Sequence, residues 1–254
     1  MIDLKEKVAL VTGSSRGIGR SVAITLAEAG CDVVVNYVTS QNEALATAKQ
    51  VQSLGRRCWI VRADVSEEED VQSMFEFIER EIGQLDILVS NAATGGFRPL
   101  LASNPRHFAA AMNTNVLALI HLVKSAVPLL EKARDRGKVI AISSHGSHLA
   151  LPMYGLIGGS KAALESITRH LALELGDLGI NVNVVKSGLV ETDSTRRIPG
   201  AEKMFAARTA KTMMGKRQLD PSDVANAVAF LSSPISDLIQ ATTLTVDGGA
   251  AAHV

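Results

Sequence analysis

The chain has 254 residues, 46% of them hydrophobic and 20% charged, with 26 basic side chains against 26 acidic ones. Zero net charge gives no polyelectrolyte attraction to nucleic acid or an anionic membrane, and no apolar run approaches the roughly 20 residues of a membrane span. Cys31 and Cys58 show no metal-ligand spacing and no disulfide framework, so they read as reduced core thiols. No metal site is expected, and without a signal peptide a cytoplasmic protein is expected.

Seven apolar, β-branched runs, at 8–11, 33–36, 59–61, 87–89, 139–142, 181–185 and 244–246, read as buried strands. Helical periodicity fills 20–29, 43–54, 67–82, 108–132, 162–175 and 221–231. This alternation predicts an α/β fold: a single doubly wound, Rossmann-like domain over 1–254, with a seven-stranded parallel sheet covered by helices on both faces. Ligands of such folds bind at the carboxyl ends of the strands, where strand order reverses.

Thr12-Gly13-Ser14-Ser15-Arg16-Gly17-Ile18-Gly19 directly follows the first strand and opens a helix. Glycines let the backbone turn tightly and approach a pyrophosphate, whose charge the helix N-terminus favours. In that context Gly13, Ser15, Arg16, Gly17, Ile18 and Gly19 are candidate dinucleotide contacts. An acidic residue at the end of the second strand would hold a ribose 2′-hydroxyl, but none stands before Glu43. Arg16 is free to meet a 2′-phosphate with paired donors, so NADPH is expected over NADH.

Asp64-Val65 follows the third strand and Asn91-Ala92-Ala93 the fourth; Asn115 precedes Val116 on the fourth helix. Ser144, Tyr154 and Lys161 come next, then Ser187-Gly188, Thr192 and Val246-Asp247-Gly248-Gly249. In this order, over the whole chain, they resemble the short-chain dehydrogenase/reductase family. The resemblance implies adenine contacts from Asp64 and Val65, and cofactor contacts from Asn91 and Ala93. It places Thr192 at the nicotinamide carboxamide and Lys161 at the nicotinamide ribose. Thr39 stands near where many relatives have a second basic residue. Tyr154, Lys161, Ser144 and Asn115 would form the catalytic group, and a homotetramer is implied.

The family's usual spacing is Tyr-x3-Lys, but Ile157 holds that tyrosine's place and Tyr154 lies seven residues before Lys161. On an ideal helix seven steps return to nearly the same face, about 10.5 Å along the axis against about 6 Å for four. Tyr154 is thus expected to face the same cleft from one turn further away, its pKa lowered by the Lys161 ammonium. Ser144, thirteen residues before Ile157, would then leave its usual relation to the tyrosine. Pro152, Gly155, Gly158 and Gly159 weaken the start of that helix, which allows a non-helical Tyr154 instead.

Ketone reduction puts hydride on the carbon that bears the oxygen to be protonated. Reduction of an α,β-unsaturated thioester puts it on Cβ, so the oxyanion donor stands further from the hydride source. A longer reach suits the second reaction. Tyr-x6-Lys is the spacing of enoyl-thioester reductases in this superfamily. Among them the chain looks most similar to the type III (FabL-type) enoyl-acyl-carrier-protein reductases. That likeness rests on Asn91-Ala92-Ala93-Thr94-Gly95, Arg98-Pro99, Ser143-Ser144-His145-Gly146-Ser147 and Ser160-Lys161-Ala162-Ala163-Leu164-Glu165. It implies NADPH-dependent reduction of trans-2-enoyl thioesters on acyl carrier protein, in fatty acid biosynthesis. A 3-ketoacyl or other carbonyl reductase is the alternative, with Tyr154 reaching back through a distorted helix. A non-catalytic NADP-binding protein is the other.

His145 and His148 read as polar loop residues or, alternatively, as a proton relay. Residues 194–217, the body of a segment at about 193–218, break the alternation, carrying Arg196, Arg197, Lys203, Arg208, Lys211, Lys216 and Arg217 against Glu202. They read either as a solvated helical face or as a substrate lid whose cations meet an acidic carrier protein or a phosphorylated thiol.

Overall fold

The computed structural model describes residues 2–196, 198, 200–215 and 217–252. Its strands are β1 (Val8–Val11), β2 (Asp32–Tyr37), β3 (Cys58–Arg62), β4 (Ile87–Ser90), β5 (Gly137–Ser144), β6 (Ile180–Ser187) and β7 (Thr243–Val246). All pair in parallel, in the order β3-β2-β1-β4-β5-β6-β7. Strand order reverses between β1 and β4, which opens a crevice beyond their carboxyl ends. β5 and β6 pair from Gly137↔Ile180 to Ser144↔Ser187, two residues past the apolar run that marked β5 in the sequence. Backbone pairing needs no apolar side chain there, and it carries Ser144 to the sheet edge.

The helices are α1 (Gly17–Glu28), α2 (Gln41–Ser53), α3 (Glu68–Glu81), α4 (Pro105–Met112), α5 (Ala118–Leu130), α6 (Gly155–Leu175), α7 (Asp193–Arg196), α8 (Ala201–Ala210) and α9 (Pro221–Ser232). Strand side chains alternate between the faces. Ala9, Val11, Val33 and Val35 pack with residues of α1, α2 and α9, while Leu10, Val34 and Leu88 pack with α3, α5 and α6.

Two helices depart from the periodicity. The run expected at 108–132 starts at Pro105, behind an Asn104 cap whose Oδ1 accepts the His107 amide, and is interrupted by a π turn at Asn113–Leu117. At 26 residues, with a mean hydropathy of 1.2 over its most apolar 18-residue stretch, the helix over 105–130 is long and apolar enough to cross a membrane, contrary to the sequence expectation. Half of its apolar window is buried in this fold, as in a core helix. The helix expected at 162 starts at Gly155 instead, despite its glycines. Gly158 is required there: a β-carbon would lie 2.5 Å from the Gly146 carbonyl oxygen. Close packing outweighs the helix propensity lost.

Candidate active site

The glycine loop between β1 and α1 is held from three sides. Gly13 N donates to Asn36 Oδ1 of β2 (3.1 Å), and Thr47 Oγ1 of α2 to the Ser15 carbonyl (3.3 Å). Asn91, after β4, donates Nδ2 to the Thr12 and Gly13 carbonyls at 2.9 and 3.2 Å. Gly13 and Gly17 have φ of 62° and 58°, where side chains other than glycine are strained. A β-carbon on Gly19 would lie 2.5 Å from the Gly13 carbonyl. The result is a bare backbone cradle opening onto the N-terminus of α1, which fits a dinucleotide pyrophosphate.

Other residues read from the sequence stand around this cradle. Arg16 is exposed just before α1, Ser15 is buried and Ile18 is partly buried. Thr192 packs beside Gly17, its methyl carbon 3.5 Å from where a β-carbon would stand. Thr39 and Ala93 are exposed, and Val65 is buried. The Asp64 carboxylate accepts from Ser66 N and Oγ at 3.0 and 2.6 Å, so it shapes its own turn. The amide of Asn91 is engaged by the loop itself. The sequence reading overlooked Arg62. It pairs with Tyr37 across the strands, and its Nε donates to the Val38 carbonyl at 3.2 Å. It thus brings a guanidinium to the end of β2, where the sequence shows only Thr39. Strand register, rather than any motif, is the signal that reveals it.

Tyr154 is the residue before α6, with φ −108° and ψ 4°, and Met153 before it has φ 60°. The ideal-helix reach therefore does not apply. The turn swings the phenol back until its Oη lies 3.0 Å from Ser144 Oγ. The expectation that Ser144 leaves the tyrosine is overturned; a non-helical backbone restores the pair. The Tyr154 ring rests on Gly146, and its centroid lies 5.9 Å from that of Phe97. Ile157 fills the place of the usual tyrosine and is buried, with room left by Gly95.

Lys161 is 5% exposed and donates Nζ to the Ile142 carbonyl at 2.7 Å. Burial pushes its pKa down to about 8, with Glu165 acting the other way. The Tyr154 pKa moves opposite to the sequence expectation: burial raises it, and only the Ser144 hydrogen bond lowers it. Lys161 is turned to a backbone carbonyl rather than to the phenol. Asn115, in the π turn, donates Nδ2 to the Thr94 carbonyl (2.9 Å) and to Ser160 Oγ (2.8 Å), and accepts from Thr94 N (2.8 Å). It ties the loop after β4 to α6. Beside Lys161, Glu165 bonds to Lys186 Nζ at 3.1 Å and accepts Ser143 Oγ at 2.5 Å, while Lys186 Nζ lies 3.3 Å from His148 Nδ1.

Two cations of the basic segment pair with acids outside it, and a third meets a histidine. Arg196 pairs with Glu191 (2.8 Å), Arg217 with Asp223 (2.6 Å), and Arg208 Nη2 lies 3.1 Å from His145 Nδ1. Lys203 is exposed. Arg197 and Lys216 lie outside the described residues.

Comparison with known proteins agrees with this arrangement. Residues 13–251 match the family model described as enoyl-(acyl carrier protein) reductase. The chain is 36% identical to the 1-cyclohexenylcarbonyl-CoA reductase of Streptomyces collinus, covering 96% of this chain and 87% of that protein. It is 33% identical to the hydroxynaphthalene reductase arp2 of Aspergillus fumigatus, covering 94% and 90%. The crystal structure of a gluconate 5-dehydrogenase from Burkholderia cenocepacia, in complex with NADP and tartrate, superposes with a TM-score of 0.91 at 30% identity, covering 100% and 98%.

Proposed function

Because the chain belongs to the short-chain dehydrogenase/reductase family and is an oxidoreductase, we propose that it reduces trans-2-enoyl thioesters with NADPH. The observation that carries the reading is the exchange at the active-site helix. Buried, apolar Ile157 stands where the family tyrosine would, and Tyr154 supplies the phenol from outside the helix, hydrogen-bonded to Ser144. The similarity to an enzyme named for reducing a conjugated thioester supports the same class.

Bound at the glycine cradle, NADPH would supply a hydride to substrate Cβ, and the enolate so formed would take its proton at Cα from solvent. Tyr154 donates a hydrogen bond to the thioester oxygen as it gains enolate charge, and Ser144, 3.0 Å from it, orients the phenol and adds a second hydroxyl. Fixed donors aimed at developing charge act in the transition state more than in the ground state. Lys161 holds the nicotinamide ribose, its ammonium supported by Glu165. Arg16 and Arg62 meet the 2′-phosphate and select NADPH over NADH. Residues 193–218 form a lid over the acyl site. Lys203 is one of its exposed cations, facing a carrier protein or the phosphorylated thiol.

The Tyr154–Ser144 contact favours a second reading, a ketoreductase, because two hydroxyls on one oxygen also suit a carbonyl. NADPH oxidation with a trans-2-enoyl thioester and, separately, a 3-ketoacyl thioester decides between them. Turnover of the enoyl compound, lost by about 10²–10⁴-fold in Tyr154→Phe, is the expected result. Turnover of the ketoacyl compound alone sinks the enoyl assignment.

A further inference from the structure

His145 directly follows Ser144 and is 3% exposed, yet the reaction above gives it no part. Three parts of the chain meet on its ring. Arg208, near the end of α8, brings Nη2 to 3.1 Å from Nδ1 and Nη1 to 3.4 Å from the Ala250 carbonyl. Asp247, after β7, brings Oδ2 to 2.9 Å from Nε2, off the line of a straight N–H bond, so that contact is chiefly electrostatic. The carboxylate is itself fixed, accepting the amides of Gly249 at 2.8 Å and Ala251 at 3.0 Å. Gly188, Thr209, Thr212 and Leu219 close the space around the cluster.

A guanidinium only donates, so Nδ1 must accept and the ring proton sits on Nε2, toward Asp247. In that neutral tautomer Nδ1 accepts from Arg208 and the Nε2 proton faces the Asp247 carboxylate. A second proton would have to sit on Nδ1, against Arg208. His148 adds its ring from the same turn, centroids 5.8 Å apart, and behind it stand Lys186 of β6 and Glu165 of α6. Burial is the largest influence lowering the His145 pKa; Arg208 and His148 act with it and Asp247 against it.

We propose that His145 is a positioning residue: through Arg208 it fastens α8 to the end of the strand that carries Ser144, holding the lid closed while the ring is neutral and releasing it when the ring is protonated. The folded pKa lies below the unfolded value, so the folded state resists taking up the proton. Docking is complete above the ordinary histidine range, about 6.5, and weakens as pH falls below it. The kinetic part of the test rests on the enoyl-reductase reading; amide exchange in α8 does not.

The experiment follows hydrogen-exchange protection of α8 in NADPH-saturated protein, and kcat and KM for trans-2-butenoyl-CoA, near neutral pH and about two pH units lower. In the parent protein, protection of α8 drops on acidification and KM rises about tenfold with little change in kcat. His145→Gln, neutral throughout and still able to accept from Arg208, keeps α8 protected at both pH values and removes the acid-side rise in KM. Arg208→Met, which changes no residue of the sheet, loses protection and raises KM about tenfold at neutral pH while NADPH affinity holds. Unchanged α8 protection in Arg208→Met, or an acid-side loss that persists in His145→Gln, overturns the clamp. If neither thioester is turned over, α8 protection alone decides it.

Discussion

The Tyr154 ring occupies the space that a β-carbon on Gly146 would need. Gly146→Ala therefore has to push the phenol away from Ser144, breaking a 3.0 Å contact from two residues beyond the serine. Misplacing a donor by about an ångström costs on the order of 10²-fold in rate. We expect kcat for the enoyl thioester to fall by that order while the NADPH dissociation constant stays within about twofold. Gly159→Ala is the control, since a β-carbon there meets nothing within 4 Å and alanine favours the helix. Equal kcat in the two variants would show that the phenol position is not set by Gly146.

Much of the sheet was legible because a buried parallel strand needs an apolar run: 8–11 coincides with β1, and the other six runs each fall inside a strand. The glycine loop was legible for the same local reason, a turn fixed by what glycine alone can do. The sequence concealed wherever register or distant packing decides. The π turn at Asn113–Leu117 lies inside a run whose apolar residues read as continuous helix. Tyr154 is aimed by the left-handed backbone at Met153, a residue with no turn signature. Arg62 reaches the end of β2 only through the pairing of β3, and Arg208 meets His145 across 63 positions.

Cofactor choice tests the first of those long-range placements. Arg62 and Arg16 are exposed at the same end of the sheet, and the N-terminus of α2, with no side-chain cap on Ser40, adds a partial positive charge between them. Arg62→Ala should weaken NADPH binding about tenfold and leave NADH binding unchanged, read from nucleotide fluorescence. Arg16→Ala should do the same, and both losses should shrink at high salt. Equal loss of the two nucleotides in Arg62→Ala would assign the residue to strand packing.

The pH profile should show Lys161. Its pKa near 8 places the ammonium below that value and the neutral amine above it. If the ammonium is the working form, kcat/KM should decline on the alkaline side with a midpoint near 8. Stability moves the other way. The folded state releases this proton at lower pH than the unfolded chain does, so stability rises as pH increases from about 8 toward about 10.4. Glu165→Gln removes the opposing carboxylate and should move the alkaline limb to lower pH. A limb unmoved by that change would detach Lys161 from it.

Asn115 offers the sharpest separation of catalysis from structure. It is 2% exposed, and both of its amide hydrogens are engaged, by the Thr94 carbonyl and by Ser160 Oγ. No donor remains for Lys161 or for substrate. Asn115→Ala removes its buried hydrogen bond to Ser160 Oγ and two part-buried bonds to the Thr94 amide and carbonyl, and leaving a buried group unpaired costs about 1–3 kcal/mol. The urea midpoint should fall with an unchanged slope, a stability loss of about 2 kcal/mol or more. In the cold, where the variant stays folded, kcat should remain within about tenfold of the parent, well short of the loss in Tyr154→Phe. A collapse of kcat at unaltered stability would instead make Asn115 a catalytic residue, reached by a rearrangement of its hydrogen bonds when substrate binds.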